Sequence, residues 1–515
     1  MTMRTKVSLQ TLLALLLLSG IAAAMPIRLT RHPDYHAGKI AFSYLGDIWV
    51  ADEDGSNVHR LTDNTARDVY PRFSPDGRWI AFLSNRYGNY DVFVIASSGG
   101  AARRFTYHTG NDEVVGWTRD SRNVTFRSSR GDGVFPSVAT LYQVSIEGGP
   151  ETALPVDWGY WNSYSPDGKR FVFNRHPLSG RGSTIAAATP PTFGLPTWRR
   201  RLTQNCSETK NTIATGRCGA RIMRSISSPT RVGTIYKTGP ADHEYMKIHR
   251  GDYILSIDDH ELKTADNYWK YLTLAAGRKF HFLLNSKPMK EGSWELTVEP
   301  VSNSTFGNLQ YVRWAEDRRS VVDKLSNGEI GYLHIKAMDT PSLRQFELDL
   351  AANRTKKALI IDQRFNGGGG IDQELLAILS GRKYQYAMSR DSDIKMWRPQ
   401  NFYGPMVVMQ NERSASDAEM FPQGFKDLGL GKVIGVPTMS AVIGTGSYSL
   451  LDGSIIRTPG SGVWTVNGEN MENYGVSPDI YVDNTPNDFV KGRDAQIEKA
   501  VEVLKTEMAA AAKRR

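Results

Sequence analysis

A five-residue turn is written twice in the first third of the chain, and its spacing limits the fold more than any other feature. Phe73-Ser74-Pro75-Asp76-Gly77 returns as Tyr164-Ser165-Pro166-Asp167-Gly168, with a weaker copy at Trp117-Thr118-Arg119-Asp120-Ser121. Proline presets φ and glycine takes positive φ, so Pro-Asp-Gly makes a tight turn. Strand-like segments follow, Trp79-Ile80-Ala81-Phe82 and Arg170-Phe171-Val172-Phe173, along with aspartate-led strands at Asp47-Ile48-Trp49-Val50 and Asp91-Val92-Phe93-Val94. Second turns lie at Asp54-Gly55 and Gly99-Gly100. A period of about 40–47 residues with several short strands per unit is the pattern of β-propeller blades. Three units and the start of a fourth fit into residues 25–188, whereas a closed ring takes roughly four to eight. Open edge strands expose unpaired backbone. The expectation is a partial, all-β propeller that is either truncated or completed by partner chains, and hence a homo-oligomer.

Arg4 and Lys6 precede the apolar run Leu12 to Leu18, and Ala22-Ala23-Ala24 supplies small residues at a cleavage point. Residues 1–24 read as a secretory signal peptide, too short for a comfortable membrane span. The mature chain would start near Met25 and act in the periplasm or outside the cell. The alternative is a start placed upstream of a cytoplasmic protein. No later stretch is apolar enough to form a stable membrane span. The net charge of +9 is modest for 515 residues, and part of it sits in the leader and in Lys513-Arg514-Arg515. No Lys/Arg stripe interleaves with aromatics, so nucleic acid is not an expected partner. Cys206 and Cys218 could pair in an exported chain. Without nearby histidines they make a poor metal site, and neither metal nor cofactor is expected.

From Thr189 to Ser228 neither the strand nor the helix period persists, and residues 189–228 read as a linker or deletion junction. Order returns in residues 229–301. Gly233-Thr234-Ile235-Tyr236 reads as a strand and Gly239-Pro240-Ala241-Asp242 as a turn. Gly251-Asp252-Tyr253-Ile254-Leu255-Ser256-Ile257-Asp258 is a turn entering an alternating strand. A helix through Asn267 to Leu272 and strands at His281 to Leu284 and Trp294 to Val298 complete a β-rich unit. Its arrangement resembles a PDZ domain, which binds an extended C-terminus as an added strand. By that resemblance the peptide would lie against Gly251, Asp252 and Tyr253; a spacer without a ligand is the other reading.

Residues 302–507 alternate strands and helices, which argues an α/β core on a mostly parallel sheet. Strands are expected at Gly331 to Ile335, Ala358 to Asp362, Met406 to Met409 and Val433 to Gly435, with helices at Ser342 to Ala352 and Asp372 to Leu379. An amphipathic helix from Arg493 to Leu504 presents Ile497, Ala500, Val501 and Leu504 on one face. Residues 508–515 read as a flexible tail.

Three segments of this core carry chemistry. Ser416 stands where the buried run Met406 to Met409 gives way to a helix that opens at Ser414-Ala415-Ser416-Asp417. First-turn amides lack intrahelical partners, so an oxyanion can be held there, although an ordinary serine N-cap has the same sequence. Asp362-Gln363-Arg364-Phe365-Asn366-Gly367-Gly368-Gly369-Gly370 follows a buried strand, and its glycines let backbone amides approach a ligand. The Walker Lys-Ser/Thr pair that a phosphate loop requires is absent. The segment Glu469 to Asp479 places the carboxylate of Glu472 in a late turn.

These motifs, in this order and over residues 228–505, resemble the tricorn and C-terminal-processing serine peptidases. The blades resemble the TolB-like and tricorn-type relatives of WD-type propellers. The resemblance implies a serine-type peptidase that hydrolyses peptides or unfolded polypeptides by acyl transfer. Ser416 would be the nucleophile, the amides of Asp417 and of Gly368 or Gly369 the oxyanion hole, and Glu472 the acid that fixes the network around the base. Ser/Lys members of the resemblance carry a lysine about 25 residues after the serine. The corresponding stretch here is Thr438-Met439-Ser440-Ala441-Val442-Ile443-Gly444, which has none. Tricorn-type sites take a histidine from a helical domain ahead of the PDZ unit, and residues 189–228 hold no histidine. His243, His249, His260 and His281 have no motif behind them, and His334 reads as a packing histidine within a strand. The expectation is therefore impaired activity in this chain alone. The alternatives are a base from a second subunit, or a non-catalytic exported scaffold that binds peptides through the propeller and PDZ-like unit.

Overall fold

The computed structural model describes residues 30–130, 139–174 except 155, 157, 158 and 169, 204–205, and 230–513 except 264–265, 274–276, 450–454, 486–487 and 489–490. The leader, both cysteines and all of the 189–228 junction but Gln204–Asn205 lie outside the described residues. The chain divides into two compact units. One runs to Thr106 and adds Asp112–Phe126 and Ser145–Glu147; the other takes Tyr107–Asn111, Arg127–Val144 and everything from Gly148. The division thus falls inside the repeat region.

The repeats form antiparallel sheets with strands in chain order. The first four-stranded sheet is Arg31–His36, Lys39–Tyr44, Asp47–Asp52 and His59–Arg60, and the second is Asp68–Phe73, Trp79–Ser84, Asp91–Ala96 and Arg103–Arg104. A third holds Asp112–Trp117, Asn123–Ser128, Thr140–Ser145 and Thr152–Ala153, and a three-stranded sheet joins Trp161–Tyr164, Arg170–Asn174 and Gln204–Asn205. The copies at Phe73–Gly77 and Trp117–Ser121 are closed by the same bonds. Ser74 Oγ donates to Asp76 Oδ1 at 2.6 Å and accepts from Trp79 N at 3.0 Å, while Arg78 N donates to Asp76 at 3.1 Å. Thr118, Asp120, Arg122 and Asn123 reproduce all three bonds at 2.6, 3.1 and 3.0 Å, so the weakened copy keeps the physics after losing proline and glycine. Ile48, Val50, Ile80, Phe82, Phe93 and Ile95 of the first two sheets pack as one core.

Residues 230–301 form a four-stranded antiparallel sheet in the order His260–Glu261, Tyr253–Ile257, Phe280–Asn285, Trp294–Val298, around Ile254, Ile257, Phe280 and Leu284. The strand expected at 233–236 does not form. Only Arg231 bridges to Tyr253, and the Tyr236 ring instead makes an edge contact with Phe306, with centroids 5.4 Å apart.

The α/β core opens with α1 (Asn303–Ser326), capped by Ser302 Oγ, which accepts from Thr305 N at 3.1 Å. Then come β1 (Ile330–His334), α2 (Thr340–Ala352), β2 (Ala358–Asp362), α3 (Asp372–Leu379), β3 (Met406–Gln410), α4 (Asp417–Asp427), β4 (Lys432–Gly435), β5 (Ile480–Tyr481) and α5 (Ala495–Lys513). The sheet runs β1-β2-β3-β4-β5 with every pair parallel. Apolar runs such as Ala358–Ile361 are buried on both faces, as parallel strands under two helical layers must be. On one face Leu359, Ile361 and Val408 meet Phe346, Leu375, Phe421 and Phe425; on the other Ile360, Val407 and Met409 meet Val322, Ile497, Val501 and Leu504. Phe421 and Phe425 are fully buried, each worth about 1.5–3 kcal/mol, and they anchor the helix that starts beside Ser416. The last helix continues to Lys513, where a flexible tail was expected from residue 508. Met508 packs on the second core, and four successive alanines carry the best helix propensity.

Arg364, just past β2, is fully buried. Its guanidinium binds Asp362 Oδ2 at 2.7 Å, both carboxylate oxygens of Asp494 at 3.0 Å and Gln496 Oε1 at 2.9 Å. Burial alone would raise Asp494, but the charge and hydrogen bonds of Arg364 hold it down at about 2. Among the described residues no helix is long and apolar enough to cross a membrane. Arg364→Ala leaves two buried carboxylates without their cation and is expected to cost about 3–5 kcal/mol in urea unfolding. A loss below about 1 kcal/mol would show that the cluster does not hold β2 to α5.

Candidate active site

Ser416 joins β3 to α4 at φ 57°, ψ −122°, a conformation that L-residues rarely adopt. Hydrogen bonds on every side hold it there. Ser416 N donates both to Ala441 O at 3.0 Å and to Glu419 Oε1 at 3.1 Å, and Ser416 O accepts from Glu419 N at 2.7 Å. Just before it, Ala415 N donates to Asn366 O at 3.0 Å and Ser414 Oγ to Gln363 O at 3.2 Å. Pro422 has no N–H for the Ala418 carbonyl one turn back, and Gln363 Nε2 supplies that bond at 2.8 Å. The loop after β2 and the start of α4 are thereby sewn together.

The glycine loop lies directly on Ser416. A Cβ on Gly368, at φ +98°, would stand 2.7 Å from Ser416 Cβ and 3.3 Å from Asp417 N. One on Gly369 would stand 1.8 Å from Met338 O. Of the amides expected to bind an oxyanion, that of Gly368 donates to Asn366 Oδ1 at 3.0 Å. Its role here is close contact, not donation. The amides of Gly369 and Asp417 have no acceptor among the described residues.

Two carboxyls at the start of α4 organise the surroundings. Glu419, fully buried, takes four donors: Ser416 N and Ala441 N on Oε1, Ser440 N and the Thr438 hydroxyl on Oε2. Burial raises its pKa in spite of these donors. Its spacing three residues after Ser416 matches a capping box, the one sequence signal that could have singled it out. Asp417 Oδ2 accepts from Ile371 N at 2.8 Å and Asp372 N at 3.2 Å. Burial and a hydrogen bond with the Asp372 carboxyl push Asp417 up to about 7.

The stretch 438–441 wraps Glu419 and meets Ser416, and it carries no lysine. The turn bearing Glu472 packs on this stretch, with Asn473 N donating to Ser440 O at 3.0 Å and Met471 against Val442. Glu472 Oε2 is buried without a hydrogen-bond partner among the described residues. No histidine or lysine side chain bonds Ser416 among them. His334 sits in β1 between Tyr311 and Trp314, its Nε2 3.0 Å from Arg364 O, and burial lowers its pKa. His249 and His281 pair locally, with Asp252 at 3.7 Å and Thr297 at 3.0 Å, and His260 Nδ1 lies 2.8 Å from Asp258 O. His243 stacks on Tyr245. At Gly251, Asp252 and Tyr253 the backbone is already engaged: Gly251 N donates to Val232 O, and Val232 N to Asp252 O. Strand addition at that point is closed, and Trp294–Val298 is an edge of the sheet.

Residues 27–184 match the family model for the tricorn protease N-terminal β-propeller domain, and residues 329–482 match peptidase family S41. The tricorn protease of Thermoplasma acidophilum is 31% identical over 267 residues, covering 52% of this chain and 25% of that protein. The putative tricorn protease homolog 2 of Streptomyces coelicolor is 37% identical over 258 residues, 46% of this chain and 22% of that one. The chain therefore spans about a quarter of the length of these relatives. A crystal structure of the tricorn protease superposes with a TM-score of 0.52 at 19% identity, over 93% of this chain and 58% of that one, a likeness of fold.

Glu419→Ala would strand three donors, Ala441 N, Ser440 N and the Thr438 hydroxyl, and leave Ser416 N with Ala441 O alone; it is expected to destabilise the core by about 3 kcal/mol in urea unfolding. A change under about 0.5 kcal/mol would show that the 438–441 stretch is held by other means.

Proposed function

We propose that this chain, which belongs to the tricorn-type peptidases through its propeller segment and its S41 domain, hydrolyses peptides or unfolded polypeptides by acyl transfer through Ser416. The observation that carries the reading is a serine at positive φ in contact with a glycine loop, with two amides, of Gly369 and Asp417, lacking acceptors among the described residues. Ser416 Oγ attacks the scissile carbonyl carbon, forming a C–O bond, and the carbonyl π pair moves onto oxygen. Those two amides donate to the resulting oxyanion, where fixed donors stabilise charge more than mobile water does. Collapse breaks the C–N bond and the amine leaves with a proton; water then cleaves the acyl ester and restores Ser416.

The serine proton needs an acceptor. Glu472, whose Oε2 is desolvated and unpartnered among the described residues, fits the acid that orients such a base. A base reaching it from another segment or a second subunit would complete the network, and the chain by itself should turn over slowly. Export rests on the basic, then apolar, then small-residue leader. Peptide capture by a PDZ-like unit in residues 229–301 would use the Trp294–Val298 edge, because the backbone at 251–253 is engaged. The scaffold reading gains no support from that turn.

A fluorophosphonate probe is expected to label Ser416 slowly, with labelling abolished in Ser416→Ala. Equal labelling of the variant, or a modified peptide elsewhere in the chain, would overturn the assignment.

A further inference from the structure

Helix α3 begins without a cap of its own. Its N-cap residue is Ile371, which has no side-chain acceptor for the first-turn amides. The Asp417 carboxylate reaches across and takes two of them, Ile371 N and Asp372 N. Ile371 stands two residues after Gly369, and Asp417 carries the other unengaged amide. A short closed loop therefore links the two donors: Gly369, Gly370, Ile371, then through a 2.8 Å bond to Asp417 Oδ2 and back to Asp417 N.

Resting on the peptidase reading of the same site, we propose that the Asp417 side chain is a positioning residue that sets the spacing of the Gly369 and Asp417 amides through its bonds to the start of α3. Capping alone needs one acceptor. Here the acceptor is also buried beside the Asp372 carboxyl, and burial first and that neighbour second push Asp417 up to about 7, so that it holds a proton below that pH. Asp372 faces Asp417 from α3, whose first turn also carries the exposed Glu374; Glu419, on α4 itself, is turned to residues 438–441. No lysine or arginine pairs with Asp372 or Asp417 among the described residues.

The proton makes the clamp conditional. Asp417 keeps it up to about pH 7 in the folded chain, whereas an unfolded aspartate releases it near 3.9. The stabilisation is thus complete at low pH and is lost as pH rises through about 7. Above that, two like charges push Asp417 from the start of α3, and an anion beside the hole opposes a second negative charge on the substrate oxygen. The sign is diagnostic. A serine activated by a base becomes more reactive as pH rises, whereas the clamp contributes a falling limb.

The test uses the full chain with Asp417→Ala, Asp417→Asn and Asp372→Asn, a fluorophosphonate probe, and hydrogen exchange over residues 366–376. Asp417→Ala is expected to lower the labelling rate constant about 10- to 100-fold, the effect of a small misplacement at a reacting centre. Asp417→Asn, whose amide can accept from α3 and donate to Asp372, should recover to within about threefold. Asp372→Asn should remove the falling limb between pH 6 and 8. Full-rate labelling of Asp417→Ala, an Asn variant as slow as the Ala variant, or a falling limb that persists in Asp372→Asn would each overturn the clamp. Should wild type resist labelling, the peptidase reading fails and the clamp is judged by exchange alone. Faster exchange at residues 366–376 in Asp417→Ala but not in Asp417→Asn supports it, and unchanged exchange in both overturns it.

Discussion

The turn at Ser416 survives because one buried carboxylate, that of Glu419, bonds both sides of it at once. A non-glycine residue at positive φ costs on the order of 1–3 kcal/mol and persists only where its surroundings over-determine it. Glu419 collects Ser416 N from its own helix and Ala441 N, Ser440 N and the Thr438 hydroxyl from the stretch after β4. Without that acceptor Ala441 N, Ser440 N and the Thr438 hydroxyl would be left unpaired, and the two stretches would be joined only by Ser416 N on Ala441 O and Met439 N on Ser414 O. The burial that raises the pKa of Glu419 is the cost of placing the acceptor there.

Four segments of the site leave the carboxyl end of a strand: Ile335 to Met338 after β1, the glycine loop after β2, Ser416 after β3 and Thr438 to Ala441 after β4. Parallel sheets gather their loops in this way, and ligands of such folds bind at that end. Cross-bonds then convert neighbouring loops into one body. Met338 N donates to Gly368 O at 3.1 Å, Gln363 Nε2 to Ala418 O at 2.8 Å and Asn473 N to Ser440 O at 3.0 Å. Arg413, three residues before Ser416, donates to Tyr160 OH at 3.1 Å and so joins this body to the segment just ahead of Trp161–Tyr164.

The sequence made legible those features whose cause is local. Blade turns could be read because a Ser/Thr-x-Asp network closes each one within a few residues. The strands around 358–362 and 406–410 announced themselves as unbroken apolar runs. Helix α1 went unseen: over 24 residues it buries few apolar side chains, chiefly Leu309, Trp314 and Val322, too thin a stripe to stand out. The strand expected at 233–236 failed because nothing pairs with it. Among the site residues, Ser416, the glycines and the turn of Glu472 were visible as residue types in order. What was hidden depends on partners far along the chain. That Gly368 N is taken by Asn366, that Gln363 replaces the bond Pro422 lacks, and that Asp417 caps a helix 45 residues earlier are facts of three-dimensional contact.

The Arg364 cluster also fixes when this half of the molecule can finish folding. Asp362 is made with Arg364, but Asp494 follows 130 residues later. At roughly 5–20 residues per second the ribosome delivers that second carboxylate about 7–26 s after the guanidinium. During the interval α5 is not available to cover its face of the sheet, and a nascent chain halted before residue 494 would present that apolar face to chaperones. Completion of the core on that face therefore waits for Asp494 and the helix that follows it.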